Sequence, residues 1–445
     1  MLFTEIIRKT QHKEVLSKEE ITWFTNSYAS NKIPDYQMSA WLMAAYINGI
    51  SKTETLNLTT AIRNSGRTLD WTDKAWFQSP ELVADKHSTG GVGDKVSLIL
   101  VPLALHFGLR VPMMSGRSLG HTGGTVDKLE SIPGFSLFLN EAQLNESMGQ
   151  FGAAMICQTE DLCPADKKLY ALRDVTSTID CVELITASIV SKKWAEGVGT
   201  IVYDVKFGSA AFMDTLERAR TLAASLVEVS KQAGMRASAM ITRMAEPLGS
   251  MVGNRSEVKE SLWILKNEYP STEEKNIAHP LAHLCCQMAA KMALLAGTRN
   301  DYKAATKEAI EYLESGKGYE VFLDLSIRQG ARQNWEKDFT LHPAAWILSA
   351  KEDGWIKQID SKKLGLSGLE LGMGRATKDD IIDPKAAFQI HTKIGNSVKK
   401  GDKILTFFGE EERLNASIIA QLEGLVEISK EKVLEKEELL VETLD

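Results

Sequence analysis

Apolar residues recur along this chain in two periods, and the change of period divides it. Residues 1 to about 66 carry helical spacing. Ser17-Lys18-Glu19-Glu20 is a capping-box start, a serine with glutamate three residues on. Tyr36 to Ile50 is nearly continuous apolar sequence with Gly49 close to its end. A helix of that kind buries most of its surface, against neighbours or a partner subunit. Ser51 opens the next helix, which ends near Gly66. From about residue 80 short apolar runs alternate with helices and glycine turns: ELVAD, RVPMMS, AAMIC, TIVYDVKF and RASAMIT. That alternation predicts an α/β lobe with a largely parallel sheet, with ligands at the C-terminal strand ends. Between AAMIC and TIVYDVKF the spacing turns helical again over 164–196, and this insert is expected to pack with the N-terminal helices. After about residue 340, short alternating segments with turns at Gly395-Asn396 and Gly401-Asp402 predict a small β-rich module. The charged tail EKVLEKEELLVE reads as a solvated helix. The expected division is a helical domain at 1–66 joined by 164–196, an α/β domain at 75–335, and a C-terminal α+β module at 340–445.

Composition narrows the function classes. A net charge of -7 over 445 residues argues against a general nucleic-acid binder, which presents a basic face. The five cysteines are odd in number, sparse and without a CxxC pair, which points to a reducing compartment. The N-terminus lacks a signal-peptide apolar stretch. The most apolar run, Val96 to Leu109, is broken by Pro102 and His106 and is too short for a bilayer. A cytoplasmic protein without membrane or nucleic-acid partners is expected.

Two glycine-rich loops carry the chemistry. The first is DKHSTGGVGDKVS from Asp85, the second SGRSLGHTGGT from Ser115. Glycine lets a backbone approach a ligand so that successive N–H groups point at it, and a helix starting just after adds its positive end. Glycine clusters are often only tight turns. Here they carry Lys86, Ser88, Ser97, Ser115 and Thr125, donors suited to an anion. Lys86 precedes the glycines, whereas a Walker A lysine follows them, and no GxGxxG opens the first βα unit. The loops therefore suit free phosphate or a sugar phosphate.

Both loops resemble those of the thymidine/pyrimidine-nucleoside phosphorylase family. SGRSLGHTGGTVDKLESIPGF is similar to that family's signature almost residue for residue. DLCPADKKLYALRDVTSTI, ITASIVSKK, YDVKFGSAAFM and KIGNSVKKGD match in order, so the likeness covers nearly the whole chain. It implies the two-lobed α/β fold shared by nucleoside phosphorylases and class IV phosphoribosyltransferases: a helical lobe, a larger mixed α/β lobe and a C-terminal α+β module. It also implies a homodimer built through the N-terminal helices. The implied reaction is reversible phosphorolysis of a pyrimidine nucleoside by a pentosyltransferase, with no required cofactor.

By that resemblance Lys86, Ser88, Ser97, Ser115 and Thr125 would hold phosphate, and Arg173, Ser188 and Lys192 would read the base. Ser188 and Lys192 stand four apart, on one helix face. Lys192 and Arg173 would stabilise charge on the departing base; the competing reading is two cations on solvated helix faces. His87 is the candidate general acid or hydrogen-bond donor, against a structural histidine. Tyr170 and Leu119 would line the base pocket with Met113 near the nucleoside, against ordinary core packing. Asp94, Asp127 and Glu130 read as capping or buried pairing, and Asp166 as a weaker candidate neighbour of His87.

Some members bind potassium through main-chain oxygens and one carboxylate, and the matching positions are Gly93, Lys95, Leu248, Met251 and Glu260. A hard oxygen-only site suits such a cation, while the alternative is that Glu260 simply caps or pairs. His279 and His283 have zinc-like spacing, but their apolar surroundings favour core packing. Ser118 and Ala210 stand where the family usually has glycine. Met113 stands where members that accept uridine tend to carry lysine, which tilts the expectation to thymidine and deoxyuridine. Two other classes compete. A phosphoribosyltransferase would need a carboxylate pair for magnesium near the first loop. A non-catalytic nucleoside- or phosphate-binding protein would not need Lys86, His87, Arg173 and Lys192 together.

Overall fold

The computed structural model describes residues 1–117, 123–375, 380–433 and 438–445. Four helices come first: α1 (Phe3–Gln11), α2 (Lys18–Ala29), α3 (Asp35–Asn48) and α4 (Lys52–Arg63). Capping boxes start α2 and α4, Ser17 with Glu20 and Ser51 with Glu54, each pair satisfying two otherwise orphaned N–H groups. Phe3, Phe24 and Trp41 make a run of tilted ring contacts in this bundle, and the Trp41 indole N–H donates to Thr10. The insert completes the lobe. Its helices α8 (Pro164–Val175) and α9 (Val182–Ala195) pack on the N-terminal ones, α8 against α2, α3 and α4, and α9 along α4.

The α/β lobe is built on β1 (Ala84–Ser88), β2 (Val111–Ser115), β3 (Ala153–Cys157), β4 (Thr200–Phe207) and β5 (Arg236–Arg243). β1, β4 and β5 pair in parallel, as do β2 and β3. A bridge between Val83 and Arg110 aligns the two groups. The helices α5 (Val96–His106) and α12 (Thr272–Ala296) cover one face and α10 (Leu216–Gln232) the other; the short α6 (Thr125–Glu130) and α7 (Glu141–Glu146) lie between β2 and β3. Strand β4 shows why two faces suffice. Ile201, Tyr203, Val205 and Phe207 belong to the core that continues into the helical lobe, while Val202 belongs to the core beneath α5 and α12. That is the period of two expected of a strand buried on both sides.

The remaining elements are β6 (Met251–Val252), α11 (Asn254–Lys266), α13 (Tyr302–Glu314) and α14 (Lys317–Arg328), then the C-terminal module. The module holds β7 (Ala344–Ser349), β8 (Gly354–Ile359), α15 (Ser361–Glu370), β9 (Ala387–Ile390), β10 (Ser397–Val398), β11 (Lys403–Phe408), α16 (Ala416–Glu423) and β12 (Val426–Ser429). It is docked by β6, which pairs with β9, and by side chains such as Asn254, whose amide donates to the Met373 carbonyl at 2.9 Å.

Two expectations change. Strand β1 starts at Ala84, later than ELVAD suggests, because its register against β4 runs from Ala84–Thr200 to Ser88–Asp204. The strand therefore carries Lys86 and His87 inside the sheet. The tail is not helical at its end: β13 (Leu440–Leu444) pairs antiparallel with β5. An unpaired β5 edge would leave a row of open N–H and C=O groups, which the returning tail satisfies. The last residues thus belong to the α/β sheet rather than to the C-terminal module. Ser238 donates to the Leu444 carbonyl, and Lys291 pairs with Asp445 at 2.5 Å. Deleting residues 439–445 is expected to lower the melting temperature by roughly 5 °C and to promote aggregation through the bared edge. Differential scanning calorimetry with light scattering checks this.

Candidate active site

The first loop leaves β1 at Ser88 and enters α5 at Val96, with Ser97 as the second helical residue. The second loop leaves β2 at Ser115 and enters α6 at Thr125. Lys86, Ser88, Ser97, Ser115 and Thr125 all line one cleft of 470 Å³ at the C-terminal strand ends. Gly93 has φ 77°, and a Cβ there would lie 2.6 Å from the Leu248 carbonyl, so glycine alone fits. Ser88 donates to Asp94 at 2.6 Å and accepts from the Gly90 N–H at 3.2 Å. Asp94 also accepts from the Val96 N–H, capping α5. Lys128, unnoticed in the sequence, ties the loops together by donating to the Asp94 carbonyl at 2.8 Å and the Gly123 carbonyl at 3.1 Å.

Beneath the first loop lies a buried charge set of two lysines and two carboxylates. Lys86 stands 3.9 Å from Asp94 and 3.7 Å from Asp204, and Lys206 stands 2.8 Å from Asp204. Burial pushes the Asp94 carboxyl up, but Lys206, Lys86 and the Ser88 hydroxyl outweigh it and hold the group below the usual carboxylate range. Burial likewise depresses Lys206, yet Asp204 and Asp94 raise it on balance. Sequence reading missed Asp204 and Lys206. The available signal was a pair of charges at alternate positions of the otherwise apolar strand TIVYDVKF.

The helical lobe supplies the opposite wall. Lys192 on α9 donates to Ser188 one turn earlier at 3.1 Å and to Asp166 on α8 at 2.9 Å, with the Tyr170 ring 5.6 Å away. Asp166 is thus the partner of Lys192. Arg173 is 2 % exposed and donates to the carbonyls of Thr178, Leu184 and Ile179, so the α8–α9 connection fixes its guanidinium. Burial lowers its pKa, against the pull of Asp166. His87 lies between the lobes. Burial, then Lys193, Lys192 and Lys86, push its pKa well below the ordinary value, so the imidazole is neutral at neutral pH.

Several expectations are corrected or relocated. Met113 packs in the core beneath β2, and the next residue, Met114, lines the cleft instead. The alternation of a strand puts neighbours on opposite faces, and the sequence did not reveal the phase. Ile179, Ile185 and Phe212 complete the apolar lining and carried no signal of their own. Leu119 and Ser118 lie outside the described residues. Ala210 is fully buried without a positive φ, and the left-handed turn is made by Gly208 at φ 128°. Asp127 and Glu130 pair with Arg117, and Asp127 also with Arg375 of the C-terminal segment at 2.9 Å. Cys285 and Cys286 are buried, but the two α12 histidines are not the core residues expected: His279 is exposed and His283 half-buried, with their rings 6.3 Å apart.

The set matched to a potassium site is brought together, and it does not fit a metal. The Lys95 ammonium itself stands among the oxygens, donating to the carbonyls of Leu248 and Met251 at 2.8 Å each and to Glu260 at 2.6 Å. Burial raises the Glu260 carboxyl, but Lys95 and the N–H groups of Ser250 and Met251 bring it below its ordinary value.

Three family descriptions match the chain in order. They are the helical bundle domain of a glycosyl transferase family at residues 4–66, the a/b domain of that family at 80–319, and the pyrimidine nucleoside phosphorylase C-terminal domain at 355–429. The two lobes and the cleft between them therefore define a glycosyl transferase. The pyrimidine-nucleoside phosphorylase of Bacillus subtilis is 39% identical over 97% of each chain. That of Geobacillus stearothermophilus is 38% identical over 93% of this chain and 94% of its own. The thymidine phosphorylase of Rhizobium meliloti is 39% identical over 97% of this chain and 96% of its own. This chain belongs to the thymidine/pyrimidine-nucleoside phosphorylase family. Its fold is shared by the anthranilate phosphoribosyltransferase of Thermus thermophilus, with a TM-score of 0.56 at 18% identity over 73% of this chain and 98% of that one.

Proposed function

We propose that this protein catalyses the reversible phosphorolysis of pyrimidine nucleosides. The observation that carries the reading is the pairing of two unlike walls across one cleft: hydroxyl and lysine donors at the glycine loops, and Lys192, Ser188 and Arg173 on the helical lobe. The first wall suits an anionic nucleophile, the second a leaving group that gains negative charge. A phosphate oxygen attacks C1′ of the sugar as the C1′–N1 bond breaks. The bonding pair leaves with the base, and C1′ passes through an oxocarbenium-like state. Holding phosphate beside C1′ makes the attack effectively intramolecular. Lys192 and Arg173 then stabilise the pyrimidine anion, which becomes the free base by taking up the proton that the attacking hydrogen phosphate gives up on forming the sugar phosphate ester. The neutral His87 imidazole donates a hydrogen bond to a base carbonyl, a role that fits its depressed pKa better than proton release from an imidazolium. Closure of the lobes would exclude water and favour phosphate as nucleophile.

We further infer a preference for thymidine and deoxyuridine. No residue of β2 brings a cation to the cleft for a ribose 2′-hydroxyl, and Met114 lines it with an apolar side chain. In the phosphoribosyltransferase reading, a carboxylate pair near the first loop would hold magnesium. The two acids there, Asp94 and Asp204, are engaged by Lys86 and Lys206, which favours phosphorolysis. A homodimer would cover the apolar face of α3 on which Tyr36 and Ile47 are 75 % and 72 % exposed. No helix among the described residues is long and apolar enough to cross a membrane. The test mixes the protein with thymidine or uridine, with and without phosphate, and follows free base by absorbance. Phosphate-dependent release of thymine, faster than that of uracil, is expected. No phosphate-dependent release from any pyrimidine nucleoside refutes the function, and equal efficiency on uridine refutes the sugar preference.

A further inference from the structure

We propose that Lys95 is a tethered monovalent cation. Its ammonium fills an oxygen cage suited to a potassium-sized ion and fixes the phosphate loop without any dissolved metal. The cage is assembled from three places in the chain. Leu248 and Met251 contribute carbonyls from the segment before α11, Glu260 contributes a carboxylate oxygen from α11 itself, and Lys95 enters from the start of α5. An ammonium has three N–H donors, and three acceptors at 2.6–2.8 Å use all of them. Both charged side chains are 0% exposed, so neither is solvated by water. The other Glu260 oxygen accepts from the Ser250 N–H at 2.6 Å and its hydroxyl at 2.9 Å, which completes the carboxylate. Hard oxygen donors around one positive charge make up the ligand set of an alkali cation. A metal ion entering this cage would bring a second positive charge against a lysine that has no route to water.

The position of Lys95 gives the cage its function. It directly follows the glycine loop, occupies the position just before α5 and lies two residues before Ser97. Next to it the Leu248 N–H donates to the Val92 carbonyl at 3.0 Å, and Gly93 passes close against Leu248. The cage therefore clamps the phosphate loop to the segment before α11. Lys95 acts as a positioning residue, since its ammonium is consumed by the cage and does not line the cleft.

The test uses the full chain, with Lys95→Ser to open the cage and restore room for an ion. Melting temperature is measured in potassium, sodium and choline chlorides at equal ionic strength, and the KM for phosphate is measured in the same salts. For the unaltered protein, neither quantity is expected to differ between potassium and choline. Lys95→Ser in choline is expected to melt roughly 10 °C lower and to show a phosphate KM raised about tenfold with a smaller change in kcat. Potassium should restore both. Potassium-specific stabilisation of the unaltered protein would overturn the proposal, as would a Lys95→Ser protein whose melting is the same in all three salts. Should Lys95→Ser not fold, the unaltered protein's response to potassium decides alone. Only the KM arm rests on the phosphorolysis reading; the melting arm stands without it, so the two failures are distinguishable.

Discussion

Replacing Lys192 by alanine is expected to lower kcat for phosphorolysis by about 10²- to 10³-fold, the loss typical of removing one preorganised charge-stabilising group. Lys192 is a cation on the base-side wall whose partners are side chains rather than backbone carbonyls. Arg173 gives three of its five N–H donors to the carbonyls of Thr178, Ile179 and Leu184, whereas Lys192 is held by two side chains, Asp166 and Ser188. An ammonium so held keeps a donor for the base. The phosphate donors belong to the other lobe, so the KM for phosphate should move little. Lys192→Arg keeps the charge but changes its shape and reach, and should recover only part of the loss. Steady-state kinetics with thymidine and phosphate varied separately checks both variants. A fall of less than tenfold in Lys192→Ala would remove this residue from the mechanism.

Replacing Lys86 by methionine is expected to raise the KM for phosphate by about 10²-fold, since a hydrogen bond to a charged group contributes roughly 1.5–3 kcal/mol. Stability should fall as well. Asp94 and Asp204 are buried, and the variant leaves Lys206 as the nearer cation for both. The pH dependence follows from the direction of the Asp94 shift. Its folded pKa lies below the unfolded one, so it contributes stability above the ordinary carboxylate range and loses it as pH falls through the folded value. With Lys86 gone the folded pKa rises toward the unfolded one. The variant should therefore lose stability at neutral pH and show a flatter decline on acidification. Melting temperature followed from about pH 7 down to about pH 2, a window that crosses the ordinary aspartate value of roughly 3.9, reads this directly. A variant as stable as the parent at neutral pH would show that the lysine does not hold these carboxylates.

Much of the candidate site was legible because it depends on local chemistry. The glycine loops were readable as an anion cradle from their glycines and flanking donors, and the spacing of Ser188 and Lys192 places them on one face of α9. The helical insert was readable from its period, although its packing on α4 joins segments more than a hundred residues apart. What was not legible turned on partners remote in the chain. The charge set around Asp94 needs Asp204 and Lys206 from β4. The mistaken choice of Met113 over Met114 is a one-residue error of phase, which a strand of five residues buried on both faces does not betray.

The amino-acid sequence by itself determined the helices and their caps, the alternation of strand and helix, and the two loops that present donors to an anion. These follow from backbone geometry and short-range hydrogen bonds, which neighbouring residues decide. Only the tertiary structure decided that the charged tail ends as a strand on β5, that Asp166 serves Lys192, and that Lys95 turns away from the cleft into a cage 165 residues distant in the chain. The physical reason is burial. Once a charge or a strand edge leaves water its partner must be found in space, and sequence distance places no limit on where that partner lies.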